Sequence, residues 1–288
     1  MRLVFALVVS LLPAAARAAE ATPTAERRQG RDTRHPVMEV LKQKDTSVTD
    51  EQLEQLKHMP FESIWAAVKG KGYNSYYTGL KPTRPEARLV GRALTMRYLP
   101  QRPDLDEAMR TLARQGDWPV GYHIRAAEQA KRGDVLVVDL GGGIADGVFF
   151  GDISALAAKM AGARGAVLYG ASRDLGELRQ MEDFPVFAVG FHPNPATQIG
   201  VDWNVPIRVG TATVLPGDVV VAEEEAVLFF PPQIAADVIQ QCRKSTVKEN
   251  YERDLVRQQK YRFRDVYPLN PELQKKFEEE QKQKKQRP

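Results

Sequence analysis

GDVLVVDLGGGIADGVFFGDISALAAKMAGARGAVLYGASRD, residues 133–174, is the stretch whose reading decides the fold. Val135 to Asp139 is a β-branched apolar run that closes on an aspartate, the pattern of a strand buried on both faces. A glycine-rich loop, LGGGIADG, follows it. An alanine-rich segment from Asp152 to about Gly162 then reads as a helix that stops at glycine. GAVLYG (Gly165 to Gly170) is a second buried strand, LGELRQM a short helix, and FPVFAVG (Phe184 to Gly190) a third strand. Strand, helix, strand, helix, strand predicts a parallel core with right-handed crossovers.

The pattern changes on both sides of this block. Downstream, VPIRVG, ATVL, DVVVAE and AVLFF are short strands separated by turn signals such as Pro216-Gly217-Asp218, which predicts an antiparallel or mixed addition. Upstream, Val37 to Lys69 has helical periodicity, with Thr49 or Asp50 as an N-cap and Pro60 and Gly70 bracketing a second helix. Arg88 to Pro100 alternates like a strand, Leu105 to Arg114 returns to helix, and HIRAAEQAKRGD is a helix ending at Gly133. From Pro231 the chain is helical again. Beyond Thr246 it becomes charged and glutamine-rich, the composition of a solvated or partner-packed helix.

The first residues, MRLVFALVVSLLPAAARAAEA, combine one basic residue, an apolar run too short to span a bilayer and an Ala16-Arg17-Ala18 cleavage pattern. The expectation is a signal peptide over 1–18 and a periplasmic or secreted protein with no membrane contact after cleavage. Residues 19–36 are polar and read as a disordered leader, 37–245 as one α/β domain, and 246–288 as a charged helical tail. The formal net charge is +4, and the tail from Arg243 onward holds 14 Lys and Arg against 8 Asp and Glu. The basicity therefore belongs to the tail, and its interspersed acids argue against a nucleic-acid partner. Cys242 is the only cysteine, so an internal disulfide is excluded, and its place on an amphipathic helix makes it a packing residue.

Two places carry candidate chemistry. Asp152 opens the alanine-rich helix, where the free amides of Ile153, Ser154 and Ala155 form a ready site for a carboxylate or phosphate. The alternative is that Asp152 only caps its helix. Arg173 and Asp174 follow the second strand at its carboxyl end, where open α/β sheets tend to bind ligands. The alternatives there are a salt-bridged loop and a joint site for an anion and a cation. In a parallel βαβ unit both places fall on the same sheet edge. Together they offer a helix N-terminus, an arginine for a carbonyl or enolate oxygen, and two carboxylates, one of which could hold a hard divalent cation.

GDVLVVD, LGGG and GDISALAAKMAGARGAVLYGASRD resemble the core of the family that includes 4-hydroxy-4-methyl-2-oxoglutarate aldolase and the regulator of ribonuclease E activity A (RraA). FPVFAVG and PGDVVVAEEEAV are similar to its later blocks, and the resemblance covers roughly Leu89 to Cys242. It implies a swivelling β/β/α sandwich with helical extensions at both ends, assembled as a homotrimer or hexamer. It also implies that Asp174 binds Mg²⁺ or Mn²⁺, largely through waters, and that Arg173 holds the pyruvyl or enolate oxygen. Asp152 would orient a water for proton transfer, and the Ile153 and Ser154 amides would receive the substrate carboxylate.

The regulator branch lacks the aspartate after the arginine, which this chain keeps. The implied activity is metal-dependent carbon–carbon lyase chemistry on a small 2-oxo acid, by aldol cleavage or oxaloacetate decarboxylation. A non-catalytic binding or regulatory trimer is the alternative. Thr211 and Ala226 stand where the family tends to show glycine, and the acid that the aldolases borrow from a neighbouring subunit has only Glu223 to Glu225 as candidates. GGGIADG lacks the Lys-Ser/Thr of a phosphate loop, and Ser172 is not a nucleophile elbow. His35, His58, His123 and His192 are too scattered for a zinc site; His123, near a helix start, could reach the pocket, with a surface or capping role as the preferred reading. Trp65, Trp118 and Trp203 read as packing residues.

Overall fold

The computed structural model describes residue 40 and residues 47–116 and 121–286; the expected signal peptide, the leader and Trp118 lie outside them. Two helices come first, α1 (Asp50–Lys57) and α2 (Phe61–Gly70), then the short strands β1 (Tyr76–Tyr77) and β2 (Lys81–Pro82). The long strand β3 (Leu89–Leu99) leads to α3 (Pro103–Arg114) and α4 (Tyr122–Gln129). The central block follows as β4 (Asp134–Asp139), α5 (Asp152–Ala161), β5 (Ala166–Ser172), α6 (Leu175–Gln180) and β6 (Val186–Phe191). Five more strands, β7 (Ile199–Trp203), β8 (Ile207–Val209), β9 (Ala212–Val214), β10 (Val219–Ala222) and β11 (Val227–Phe230), precede the helices α7 (Ala235–Gln258), α8 (Phe263–Val266) and α9 (Pro271–Gln286).

β3, β4, β5 and β6 lie side by side and parallel. The sheet extends antiparallel from β3 through β10 and β11 to β1, and from β6 to β2. β7 pairs with the end of β3, so the segment IGVDW forms a strand that its composition does not announce. β8 and β9 form a separate hairpin.

The alternation of β4 shows how the layers are divided. Leu136 and Val138 pack with Ala126, Ala155, Ala158 and Leu178 of α4, α5 and α6, whereas Val135 and Val137 pack with Val209, Ala212 and Val214 of the hairpin. Hairpin, sheet and helices therefore make the β/β/α sandwich. Farther along the helical face, α1, α2 and α7 cover Val90, Val219, Val221 and Leu228. α1 is started by Thr49, whose hydroxyl accepts from the Gln52 amide at 3.1 Å while the Gln52 side chain accepts from the Thr49 amide at 2.9 Å. Arg92 ties this helix to β3 by donating to Asp50 Oδ1 at 2.5 Å and to the Val48 carbonyl. Cys242 is fully buried against this layer, and burial pushes its thiol up to about 11, so it packs rather than reacts.

The C-terminal segment is more structured than its charge suggests. α7 runs without a break through residue 245, where a boundary is expected. Leu255, Val266, Leu269 and Leu273 form a satellite core, and Tyr251 and Phe277 meet over it with ring centroids 5.2 Å apart.

The Pro216-Gly217-Asp218 turn carries an ionisation that the fold must accommodate. Asp218 is 6% exposed, and its Oδ2 accepts the Leu215 amide at 2.8 Å. Burial raises its pKa to about 7, and the single amide bond only partly offsets this. A folded-state pKa above the unfolded one gives a contribution that is complete below about pH 4 and is lost as pH rises through about 7. Asp218→Asn keeps the acceptor for Leu215 and removes the titration. The variant should gain stability over the parent between pH 5 and pH 8, by on the order of 2–4 kcal/mol across the window. Urea unfolding at both pH values measures it, and parallel curves for the two proteins would refute the assignment.

Candidate functional site

The turn before α5 is stapled to the end of β5. The Ala171 amide donates to the Gly147 carbonyl at 2.8 Å, and the Phe149 amide donates to the Ala171 carbonyl at 3.0 Å. Val148 and Ala171 thereby form a parallel bridge beyond the regular ladder. One step on, the Phe150 carbonyl accepts both the Arg173 amide at 3.1 Å and the buried Ser172 hydroxyl at 2.9 Å. Ser172 is thus a structural donor. Gly170 is required for this approach, because a Cβ there would lie 2.7 Å from the Gly147 carbonyl oxygen.

This staple brings the start of α5 against Arg173 and Asp174. Gly151 is the N-cap residue and Asp152 the first residue of the helix, and no side chain of the helix's own start caps it. The cap comes from the turn after β5 instead: Asp174 Oδ2 accepts the Asp152 amide at 3.2 Å. Asp174 reaches that amide from the left-handed region, with φ 55° and ψ 44°, a conformation aspartate tolerates better than most residues but that still costs free energy. Its Oδ2 also faces Arg173 Nε at 3.3 Å. The first α5 amide is therefore occupied, whereas among the described residues no acceptor meets the amides of Ile153 and Ser154.

The Arg173 side chain is 43% exposed, and its only ion-pair contact among the described residues is through Nε, so both terminal nitrogens remain available as donors. Asp174 Oδ1 is likewise unengaged, on a side chain that is 33% exposed. The Asp152 carboxylate makes no hydrogen bond to a described residue. Salt bridge and open site thus coexist, since Asp174 spends one oxygen on the pair and keeps the other. That single oxygen suits a Mg²⁺-class ion that retains most of its waters. Among the described residues no three His, Cys, Asp or Glu side chains gather into a full protein cage.

His123 lies close to this edge. Its ring lies edge-on to Phe149 with centroids 6.5 Å apart. Burial first, and then the positive charge of Arg173, hold its pKa below the ordinary histidine value, so the imidazole is neutral at pH 7. Of the two readings that the sequence offers for this residue, the contact with Phe149 favours reach toward the site over a surface or capping role. Glu223 is not brought to the site in this chain. It is salt-bridged to Arg88 next to the Ala222–Leu89 pair, at the amino end of β3, opposite the edge that holds Arg173.

The backbone at the start of α5 leaves no room for a side chain at position 151. A Cβ on Gly151 would overlap the Asp174 carboxylate and sit 2.9 Å from Arg173 Nε. Gly151→Ala should therefore destabilise the protein by about 1–3 kcal/mol. The same change in an Asp174→Gly background should cost less, because the nearest obstruction is gone and only the Arg173 side chain remains close. A double-mutant cycle by denaturant unfolding reads the coupling, and additive effects would show that the two residues do not touch.

With this geometry established, the chain can be compared with known proteins. The RraA-like (Aldolase/RraA) family pattern matches residues 47–229. An uncharacterized protein of Methanocaldococcus jannaschii is 27% identical over 180 residues, covering 62% of this chain and 78% of that protein. A protein of Hahella chejuensis, provisionally named 4-hydroxy-4-methyl-2-oxoglutarate aldolase, is 36% identical over 109 residues. One of Halalkalibacterium halodurans with the same provisional name is 31% identical over 122 residues. The matches span 65% and 57% of those two proteins, and 38% and 42% of this chain. Among solved structures, an uncharacterized protein of Pseudomonas syringae superposes with TM-score 0.65 at 21% identity, covering 78% of this chain and 96% of that one. RraAS2 of Streptomyces coelicolor superposes with TM-score 0.61 at 24% identity, covering 72% and 98%. These structural likenesses bear on the fold alone.

Proposed function

Since the chain belongs to the Aldolase/RraA family, we propose that it is an exported carbon–carbon lyase that cleaves a small 2-oxo acid through a pyruvate enolate. The observation that carries this reading is the pairing of free Arg173 terminal nitrogens with a free Asp174 oxygen beside two unpaired helix amides. The amides of Ile153 and Ser154 receive the C1 carboxylate at the positive end of α5. Arg173 donates to the C2 keto oxygen, where negative charge accumulates as the bond breaks, and such a preorganised donor is worth about 10²–10³ in rate. Asp174 is the residue that would hold Mg²⁺ or Mn²⁺ through waters, and the ion supplies additional positive charge at the keto acid.

In aldol cleavage the bond between C3 and C4 breaks. The C4 hydroxyl loses its proton to a water held by Asp152, C4 becomes a carbonyl, and the electron pair passes into the enolate of pyruvate. The enolate is then protonated at C3. With oxaloacetate the same bond breaks and carbon dioxide leaves in place of the carbonyl product. Arg173 acts identically in both, because the enolate is common to them.

Purified protein with Mg²⁺ and oxaloacetate should release pyruvate, detected by a coupled reduction to lactate. Asp174→Ala should reduce turnover at least about 100-fold. Asp174→Asn, which keeps an acceptor for the Asp152 amide, should lose activity without losing the fold. Turnover that survives both substitutions would exclude Asp174 as the metal ligand.

We also propose a homotrimer or a hexamer of this chain. Support comes from α5, where Ile153, Leu156 and Met160 recur at helical spacing and are 78%, 47% and 76% exposed. Replacing both Leu156 and Met160 by Glu should shift the protein to monomer in size-exclusion chromatography with light scattering. An unchanged mass would place the interface elsewhere.

A further inference from the structure

The turn from α7 into α8 carries apolar surface that the fold does not bury. On its inner side, Leu255, Val266, Leu269 and Leu273 already form the satellite core. On its outer side, Phe263 and Tyr267 are 66% and 62% exposed, and Val256 and Tyr261 are exposed as well. Val256 and the two rings line an open groove of about 490 Å³. The rings stack on each other with centroids 5.9 Å apart and planes 27° apart, so they form one projecting knob. Apolar side chains held outward on a turn whose inner side is packed contribute little to folding, and clusters of them mark contact surfaces.

The charge at this tip has one sign. From Arg257 to Arg264, RQQKYRFR, four of eight residues are basic and none is acidic. Arg257 pairs with Asp254 at 2.8 Å and Arg262 with Asp265 at 2.7 Å, yet both guanidinium side chains stay mostly in solvent. Lys260 and Arg264 are exposed too, and neither forms an ion pair among the described residues. The acids that line the groove do not cancel these cations. Glu249 holds Arg253 at 2.9 Å, and Glu252 is 7% exposed.

We propose that this tip docks on an anionic phospholipid surface, with the Phe263–Tyr267 knob at headgroup depth and Lys260 and Arg264 on the acidic headgroups. Aromatic rings settle at the membrane–water interface, and each cation beside them raises affinity for an acidic bilayer about fivefold. The contact is peripheral, because among the described residues no helix is long and apolar enough to cross a membrane. It departs from the expectation, drawn from the first residues alone, of no membrane contact after cleavage. A nucleic-acid strand fits the tip less well. Bases stack on free ring faces, and Phe263 and Tyr267 each cover a face of the other. The groove beside them carries Glu249 and Glu252 where a phosphate backbone would have to run. The proposal is independent of the lyase reading.

Vesicle flotation tests it on the mature chain expected after cleavage, so that the apolar first residues do not themselves bind lipid. Vesicles of phosphatidylcholine and phosphatidylglycerol in equal parts should bind the protein at least about tenfold more tightly than phosphatidylcholine alone, and added salt should weaken the binding. Lys260→Gln with Arg264→Gln should lower the affinity for the mixed vesicles about 25-fold, from about fivefold for each cation. Phe263→Gln with Tyr267→Gln should lower it at least about fivefold and leave the salt dependence in place. All four side chains are exposed, and circular dichroism checks that both variants fold. Equal binding to the two kinds of vesicle, or variants that bind as the parent does, overturns the proposal. Binding of single-stranded RNA that either pair of changes abolishes, without vesicle binding, assigns the tip to nucleic acid and overturns it. A mass that falls on the ring changes in light scattering, without vesicle binding, makes the tip a contact between copies and overturns it too.

Discussion

The Phe150 carbonyl is the point on which the candidate site turns. It accepts the Ser172 hydroxyl and the Arg173 amide at once, so the chain entering α5 and the chain leaving β5 cannot move independently. A loop of twelve residues between β4 and α5 would otherwise be free to place the helix start anywhere along the sheet edge. The parallel bridge of Val148 to Ala171 extends that restraint back along the strand. Because Ser172 is fully buried, its hydroxyl has no water to exchange with, and breaking the bond would leave an unpaired donor and acceptor. Every residue of the candidate site at this edge lies within four positions of the staple.

Asp174 adds a second restraint of a different kind. Its left-handed backbone is unfavourable for a side chain with a Cβ, and the capping bond to the Asp152 amide together with the Arg173 ion pair offsets the cost. The ion pair is largely exposed, so its own contribution to stability is small. Its value is positional. With Nε engaged, the planar guanidinium is fixed in orientation and presents its remaining nitrogens outward.

The strands of the central block were readable because burial on both faces demands continuous apolar runs, and VLVVD, AVLYG and FPVFAVG have them. The Arg173–Asp174 site was readable for the same reason, since the end of such a run at the carboxyl edge of a parallel sheet is where ligands collect. What escaped were features that depend on partners distant in sequence. β7 is a strand because β3 offers it an edge, not because IGVDW alternates. The C-terminal helices share a core built from four sparse leucines and valines among many charges, and composition averaged over that segment hides them. His123 is chemically ordinary in sequence. It becomes notable only when the fold sets its ring edge-on to Phe149 and within reach of the Arg173 charge. Glu223 to Glu225 are candidates for an acid borrowed from a neighbouring subunit, and within one chain Glu223 is salt-bridged to Arg88 at the far edge.

On the proposed chemistry, a lyase and a binding module on this scaffold would differ at a single oxygen. Any residue at position 174 able to accept from the Asp152 amide would preserve the helix start, and an asparagine or glutamine could serve. Such a residue would leave the anion pocket of Arg173 and the two α5 amides intact, so an acid could still bind. It would not supply a formal negative charge for a hydrated cation, whose affinity depends on that charge far more than on the hydrogen bond. Asp174 satisfies the structural requirement with Oδ2 alone, and a carboxylate in place of an amide exposes charge that the fold does not need. Charge retained beyond structural need, on an unfavourable backbone and beside an unpaired arginine terminus, is the physical argument for catalysis over mere recognition at this edge.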